Sequence, residues 1–266
     1  MNAIILSAGQ GKRLLPLTSK SPKCLLDICG KTILEWQVET LAGEKVDEII
    51  VVTGYGSEKV EQLVQRRLKQ YGVRTFYNPD FATSDNLISC WKVRHEMKGE
   101  FILLNGDTLF EPAVLETLLS SPEASITVTV SSKDKYDSDD MKVVTEAGRL
   151  LKIGKELPLD RVSAESIGLI YFRGQGPEIF STALDEAVHD PGSRKKWYLS
   201  VIDAIAANNP VMTCSVTGLK WCEIDYPKDL KLAEPVVSAI KLDGRSQDSH
   251  QMYMGQGLVH AKGRAC

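Results

Sequence analysis

Short β-branched runs alternate with amphipathic stretches along the first half of the chain. Ala3 to Leu6, Glu48 to Thr53, Val73 to Tyr77, Phe101 to Leu104 and Ser125 to Val130 read as strands, and segments near 31–42, 57–70, 86–97 and 111–120 read as helices. Strands of this length separated by helical patterns predict βαβ units around a mostly parallel sheet. Within Glu58 to Leu68, the apolar positions Val60, Leu63, Val64 and Leu68 form one helical stripe opposite Glu, Gln and Arg, the face that packs on such a sheet. After Asp134 the strand candidates shorten to Lys142 to Thr145, Leu150 to Ile153 and Ser166 to Phe172, with Gly148-Arg149 as turn material. This second half predicts an α+β lid. Helices near 175–189 and 197–207, strands at Val211 to Thr217 and Lys220 to Ile224, and a last helix from Pro227 complete it. One domain over 1–242 is expected, in two halves of about 1–130 and about 131–242. Residues 243–266 show no sustained period and read as a poorly ordered tail.

Length and charge narrow the class. A chain of 266 residues is large enough for a substantial core. Its net charge of -3 offers no field that would hold a polyanion, so nucleic acid and anionic membranes are disfavoured as partners. No apolar run nears the ~18 residues of a membrane span. The six cysteines include no C-x-x-C pair, which points to spectator thiols in a reduced, cytoplasmic protein. A homo-oligomer is left open, with the tail as one candidate interface.

The first strand runs into Leu6-Ser7-Ala8-Gly9-Gln10-Gly11-Lys12-Arg13-Leu14, and Pro22-Lys23 follows at the far end of the loop. Small residues let backbone N–H groups approach a triphosphate, and Arg13 and Lys23 supply cations for its α- and β-phosphates. The P-loop pattern needs Ser or Thr after Gly11-Lys12, where Arg13 stands. The dinucleotide fingerprint needs a third glycine beyond Gly11 that is absent. A plain strand-to-helix turn explains the glycines but not their pairing with Arg13, Pro16, Pro22 and Lys23.

Two aspartates close apolar strands. Phe101 to Asp107 ends in Gly106-Asp107, and Trp221 to Pro227 contains Asp225 ahead of a helix. Carboxylates at strand ends lie where α/β proteins bind ligands, and two of them suit one Mg²⁺ on phosphate oxygens. The competing roles are a turn cap for Asp107 and a helix cap for Asp225. The four histidines form no recognisable triad, and neither Gly-x-Ser-x-Gly nor His-Glu-x-x-His occurs. A phosphate or phosphonate acceptor, already ionised near neutral pH, needs no general base to attack phosphorus.

The run from Leu6 to Pro16 together with Pro22-Lys23-Cys24-Leu25 resembles the signature of the sugar-phosphate nucleotidyltransferase superfamily. That likeness extends over about residues 2–235. It implies a Rossmann-like sheet flanked by helices with an acceptor-binding lid, and a Gly-Asp and x-Asp metal pair at Asp107 and Asp225. Three further segments look most like the phosphocholine and phosphonoalkyl cytidylyltransferases: Ser84 to Trp91, Asp139-Asp140-Met141-Lys142-Val143, and Ile153-Gly154-Lys155-Glu156-Leu157.

The resemblance implies CTP and a small phosphate or phosphonate as substrates, Mg²⁺ as cofactor and pyrophosphate as product. Lys23, Arg13 and Lys155 become the catalytic cations. Leu6, Ala8, Gly9, Gly11, Lys12, Arg13, Lys23, Asn86 and Asp107 become the nucleotide site. Lys142, Lys155, Glu165, Trp197 and Trp221 become the acceptor site. Asn86 could instead cap a helix, Lys155 could be a solvated strand-edge lysine, and the tryptophans could be core. A hexose-1-phosphate nucleotidyltransferase using UTP, GTP or dTTP is the alternative enzyme. A nucleotide-binding regulatory module without activity is the alternative of another kind. A choline acceptor calls for an aromatic cage, for which Trp197, Tyr198 and Trp221 are candidates, and a primary amine calls for carboxylates. The sequence contains both sets.

Overall fold

A computed structural model describes residues 1–44 and 46–242, so the expectation for 243–266 lies outside the described residues. In chain order the elements are β1 (Asn2–Ser7), β2 (Asp27–Ile28), β3 (Lys31–Thr32), α1 (Ile33–Ala42), β4 (Glu48–Thr53), α2 (Ser57–Leu63), β5 (Val73–Tyr77), α3 (Asn86–Val93), β6 (Phe101–Asn105) and β7 (Thr108–Phe110). Then follow α4 (Pro112–Leu119), β8 (Ile126–Ser131), β9 (Lys142–Glu146), β10 (Arg149–Gly154), β11 (Ala164–Phe172), α5 (Gly176–Ala187), α6 (Leu199–Asn208), β12 (Met212–Ser215), β13 (Trp221–Glu223) and α7 (Asp229–Leu232).

One nine-stranded sheet runs β5-β4-β1-β6-β11-β8-β12-β10-β9. Its first four strands are parallel, as the βαβ pattern predicts. The direction reverses at β11, which pairs antiparallel with β6 on one side and β8 on the other. The α+β half is therefore an extension of the same sheet, with β9 also touching the end of β11, and not a separately folded layer. Nothing in the periodicity of Ser166 to Phe172 distinguishes an antiparallel central strand from a parallel one, because both faces are buried.

Both faces carry core. Along β1 and β4 the residues alternate between them, with Ile4, Ile50 and Val52 on one side and Ala3, Ile5, Ile49 and Val51 on the other. Helices α3, α5 and α6 cover the first face; α1, α2 and α4 cover the second. Each residue of such a strand removes its apolar surface from water, at roughly 25 cal/mol per Å².

Several boundaries differ from the sequence reading for local reasons. The helix expected near 31–42 begins at Ile33, because Thr32 accepts a hydrogen bond from the Glu35 N–H while the Glu35 carboxylate accepts from the Thr32 N–H, a reciprocal cap. The stripe over 57–70 is one helical run in three geometries: α2, a π-type turn over Val64–Leu68 and a 3₁₀ turn over Lys69–Tyr71. The helix expected from Pro227 starts at Asp229, whose carboxylate accepts from the backbone N–H groups of Asp225 and Tyr226. The small β2–β3 hairpin and the three-residue β7 are too short to show in the pattern of the sequence, whereas β13 falls inside the expected strand Lys220 to Ile224.

Candidate active site

The β1 strand delivers its glycine loop to the sheet edge where β4 and β6 also end. Gly11 has φ of 75°, in the left-handed region open to glycine, and a Cβ there would press on the Lys23 side chain at 2.9 Å. The buried Thr18 hydroxyl donates to the Gly11 carbonyl at 2.8 Å and closes the loop on itself. Opposite it, Gly106 approaches β1 so closely that a Cβ would run into the Ser7 hydroxyl and the Leu6 carbonyl. The Gly106 N–H donates to that same carbonyl at 3.0 Å. From α1, the Gln37 amide donates to the carbonyls of Asn105 and Thr108 at 2.8 and 2.9 Å, bracing the turn that carries Asp107 on both flanks.

These pieces open a cavity of about 820 Å³ lined by Leu6, Gly9, Gly11, Lys12, Arg13 and Lys23 on one side. Of its opposite wall, the sequence motifs mark only Ser84 and Asp85. Phe81 to Asp85 line it from the loop after β5, held by the buried Asn78, whose amide donates to the Ser89 hydroxyl at 3.0 Å. Arg194 and Lys195 line it from a 3₁₀ turn over Ser193–Lys195. The basic run Arg194-Lys195-Lys196 after Gly192-Ser193 was the available signal, but its distance along the chain concealed it. Ala8 sits beneath the loop, where its carbonyl accepts from the Tyr55 N–H at 3.0 Å; its side chain is buried in the core.

Asp107 and Asp225 come together from opposite ends of the chain. The Lys23 ammonium donates to Asp107 Oδ2 at 2.8 Å and to Asp225 Oδ1 at 2.6 Å. Neither aspartate serves as a cap. Burial pulls the pKa of Lys23 down, but the two carboxylates outweigh it and hold it above its ordinary value. Arg13 reaches Asp225 Oδ2 at 3.2 Å and Asp139 Oδ2 at 3.0 Å, with its guanidinium over the Tyr226 ring.

The remaining oxygen of Asp107, Oδ1, is buried and accepts no hydrogen bond. Among the described residues no cluster of three or more metal-type ligands is assembled. Two carboxylates with an unused hard oxygen nevertheless fit Mg²⁺, which takes one or two carboxylates and completes its shell with phosphate and water.

A second, smaller cavity of about 130 Å³ adjoins the first, and Arg13, Asp107 and Asp225 line both. Lys155 and Trp197, expected at the acceptor site, line it as well; Asn86, expected with the nucleotide, lines this smaller cavity and not the larger one. Asn86 is not a cap. Asp85 holds that position, and the side-chain amide oxygen of Asn86 accepts from the Tyr198 N–H at 2.9 Å, pinning the start of α6 to α3. The Lys155 ammonium lies 4.5 Å from the centre of the Trp197 ring and 3.5 Å from Asp139.

Three acceptor expectations fall elsewhere. Lys142 is buried and donates to the carbonyls of Asp137, Asp140 and Lys155, tying two loops together away from the cavity lining. Glu165 pairs with Lys133 at 2.8 Å behind the site. Burial pushes its carboxyl up to about 7 against the pull of Lys133. Trp221 pairs in register with Phe110 and packs on the core, outside the lining of both cavities. Tyr198 is fully buried, its hydroxyl donating to the Asn105 side-chain oxygen at 3.1 Å.

In the smaller cavity, one charged lining residue that sequence reasoning missed is Glu223. Its side chain enters the smaller cavity beside Asp107 and Asp225, and burial followed by those two carboxylates pushes its pKa up. The spacing Glu223-x-Asp225 was the signal, since alternate residues of an extended segment share a side.

Residues 2–147 match the Nucleotidyl transferase family. The chain belongs to that family. Among its curated relatives are a CMP-5'-(3-aminopropyl)phosphonate synthase of Streptomyces rubellomurinus, 29% identical over 88% of this chain and 38% of the relative, and a CTP:phosphoglutamine cytidylyltransferase of Campylobacter jejuni, 27% identical over 87% of this chain and 98% of the relative. The chain thus spans well under half the length of the first and nearly all of the second. In fold it is similar to an inositol-1-phosphate CTP transferase from T. maritima, with TM-score 0.78 at 22% identity over 90% of this chain and 96% of that one. It is likewise similar to a CTP:phosphocholine cytidylyltransferase from Streptococcus pneumoniae, with TM-score 0.73 at 23% identity over 89% and 98%.

Proposed function

We propose that this family member couples CTP to a small phosphorylated or phosphonylated alcohol or amine and releases pyrophosphate, with Mg²⁺ as cofactor. The observation that supports it is the junction of the two cavities, where Arg13, Asp107 and Asp225 face a nucleotide-sized space on one side and an acceptor-sized space on the other. The cytidylyltransferases among its relatives point the same way.

In this reading the glycine loop and Lys12 hold the triphosphate, with Arg194 and Lys195 closing over it. An oxygen of the acceptor phosphate or phosphonate, oriented by Lys155 and Arg13, attacks the α-phosphorus in line. As that P–O bond forms, the bond to the bridging oxygen breaks and pyrophosphate leaves with the electron pair. Mg²⁺ bound at Asp107 and Asp225 supplies charge neutralisation on the phosphate oxygens. Lys23 meets the negative charge that develops on the leaving group, a term worth more in the transition state than in the ground state. No side chain has to remove a proton, which fits a site without histidine.

The second reading is a hexose-1-phosphate nucleotidyltransferase, favoured by a mannose-1-phosphate guanyltransferase of Xenopus laevis that is 31% identical over 86% of this chain and 62% of its own. Pyrophosphate release measured with four NTPs against several acceptors separates the two. CTP should win by at least tenfold with a short-chain acceptor; preference for GTP or UTP with a hexose phosphate would overturn the proposal.

A further inference from the structure

Arg13 and Lys155, which reach the site from opposite halves of the chain, share one counter-ion. Arg13 lies in the 3₁₀ turn after the glycine loop, and Lys155 follows the last residue of β10. Both meet the carboxylate of Asp139. The Arg13 Nη1 donates to its Oδ2 at 3.0 Å, and the Lys155 ammonium lies 3.5 Å from its Oδ1. The Tyr226 hydroxyl donates to the same Oδ2 at 2.8 Å and accepts from Arg13 Nη1 at 3.4 Å, with the guanidinium over its ring. Asp139, Asp225 and Tyr226 therefore all engage Arg13 at a single nitrogen. Its Nε and Nη2 make no hydrogen bond among the described residues, so part of the planar fork is fixed and the rest stays available to a ligand oxygen.

Asp139 is itself held. Its N–H donates to the Asp137 carboxylate at 2.8 Å, and the Asp137 N–H donates to the Asp140 carboxylate at 2.7 Å. The ammonium of the buried Lys142 donates to the carbonyls of Asp137 and Lys155, so one cation ties the backbone that carries Asp139 to the backbone that carries Lys155. A buried ammonium has to find acceptors, and here it spends them on these two segments.

Stability does not account for the arrangement. The Arg13 and Asp139 side chains are 44% and 45% exposed, and a pair so exposed adds little to a fold. Charge alone would oppose the reaction, because a carboxylate beside both cations repels the phosphate that they attract.

We propose that Asp139 is a positioning residue for the transfer: with the Tyr226 hydroxyl as its partner it fixes one nitrogen of Arg13, it flanks Lys155, and it thereby sets the spacing of the two cations that receive the acceptor phosphate. The inference rests on the cytidylyl-transfer reading and deepens it.

The assay pair is whichever nucleotide and acceptor release pyrophosphate fastest in the panel above. Failure of CTP with success of another nucleotide thus overturns the CTP reading alone, and no release from any pair would overturn both. Asp139→Asn should lower kcat by at least about tenfold, as misplaced reacting groups do, while KM for the nucleotide stays within about threefold and the thermal melt within a few degrees. Tyr226→Phe keeps the ring and loses the hydroxyl. It should lower kcat by about threefold alone and by nothing further in the Asp139→Asn background, because both act through the same nitrogen of Arg13. Wild-type kcat in either single variant would overturn the inference, as would a lower acceptor KM at unchanged or higher kcat in Asp139→Asn, the signature of relieved repulsion. Losses that multiply in the double variant would assign the two residues independent roles and overturn it as well.

Discussion

The ammonium nitrogen of Lys23 lies 2.8 Å from Oδ2 of Asp107, joining positions separated by 84 residues of chain. The same nitrogen binds Asp225, so Lys23 neutralises the acidic pair as well as facing the nucleotide space. Lys23→Ala should lower kcat on the order of 10², the cost of losing one preorganised donor to developing charge. Lys23→Arg should recover only part, because a planar fork does not fit between two carboxylates spaced for an ammonium. Steady-state kinetics check this, and a raised KM for CTP at unchanged kcat would make Lys23 a ground-state binding residue.

Asp107→Asn and Asp225→Asn should each cut turnover at least a hundredfold while leaving the thermal melt within a few degrees, since both side chains sit at the edge of the sheet. A chelator should abolish activity, and added Mg²⁺ should restore it. Wild-type turnover in either variant would take that residue out of the metal site.

Gly168 occupies φ of 72° in the interior of β11, and a Cβ there would collide with the Asn105 side-chain amide. Gly168→Ala should destabilise the fold by about 1–3 kcal/mol. It should also displace Asn105, the hydrogen-bond partner of Tyr198, and so deform the smaller cavity. Denaturant unfolding and the acceptor KM read the two effects; a variant normal in both would show that the strand relaxes freely.

Glu165 titrates near 7 because burial outweighs its pairing with Lys133. Its folded pKa is raised above the unfolded value, so the folded state holds its proton longer. The associated stability is fully present below the unfolded carboxylate pKa and is lost as pH rises through about 7. Glu165→Gln should flatten that part of the curve: the difference in melting temperature between wild type and variant should change between pH 5 and 7.5 against the wild type. A constant difference over that range would place the titration elsewhere.

Much of this arrangement was legible from residues alone. The strands Glu48–Thr53 and Val73–Tyr77 fall where β-branching places them, and the loop from Leu6 to Arg13 together with Lys23, Asp107 and Asp225 assembles as motif spacing suggests. Local chemistry fixed those positions, through glycine turns and strand ends. What escaped the sequence depends on tertiary approach. Lys142 and Glu165 are charged residues that look available but are buried and consumed by loop carbonyls and Lys133. Arg194 and Lys195 enter the nucleotide cavity only because the turn before α6 folds back on α3. Glu223 looks like an ordinary strand residue until β13 pairs with β7 and turns it toward Asp107.

The ladders of β11 have a mechanical consequence. This strand is hydrogen-bonded to β6, which ends in the Gly106-Asp107 turn, and equally to β8 and β9 on the acceptor side. Opening the molecule like a clamshell would tear one of those ladders, so the two halves cannot hinge as rigid bodies. Access is then left to side chains and surface segments, and Arg13, Asp139 and the Tyr226 hydroxyl are linked to one another beside the smaller cavity. The radius of gyration in solution scattering should accordingly stay the same whether or not CTP is present, and a contraction of several per cent would show that the sheet itself bends.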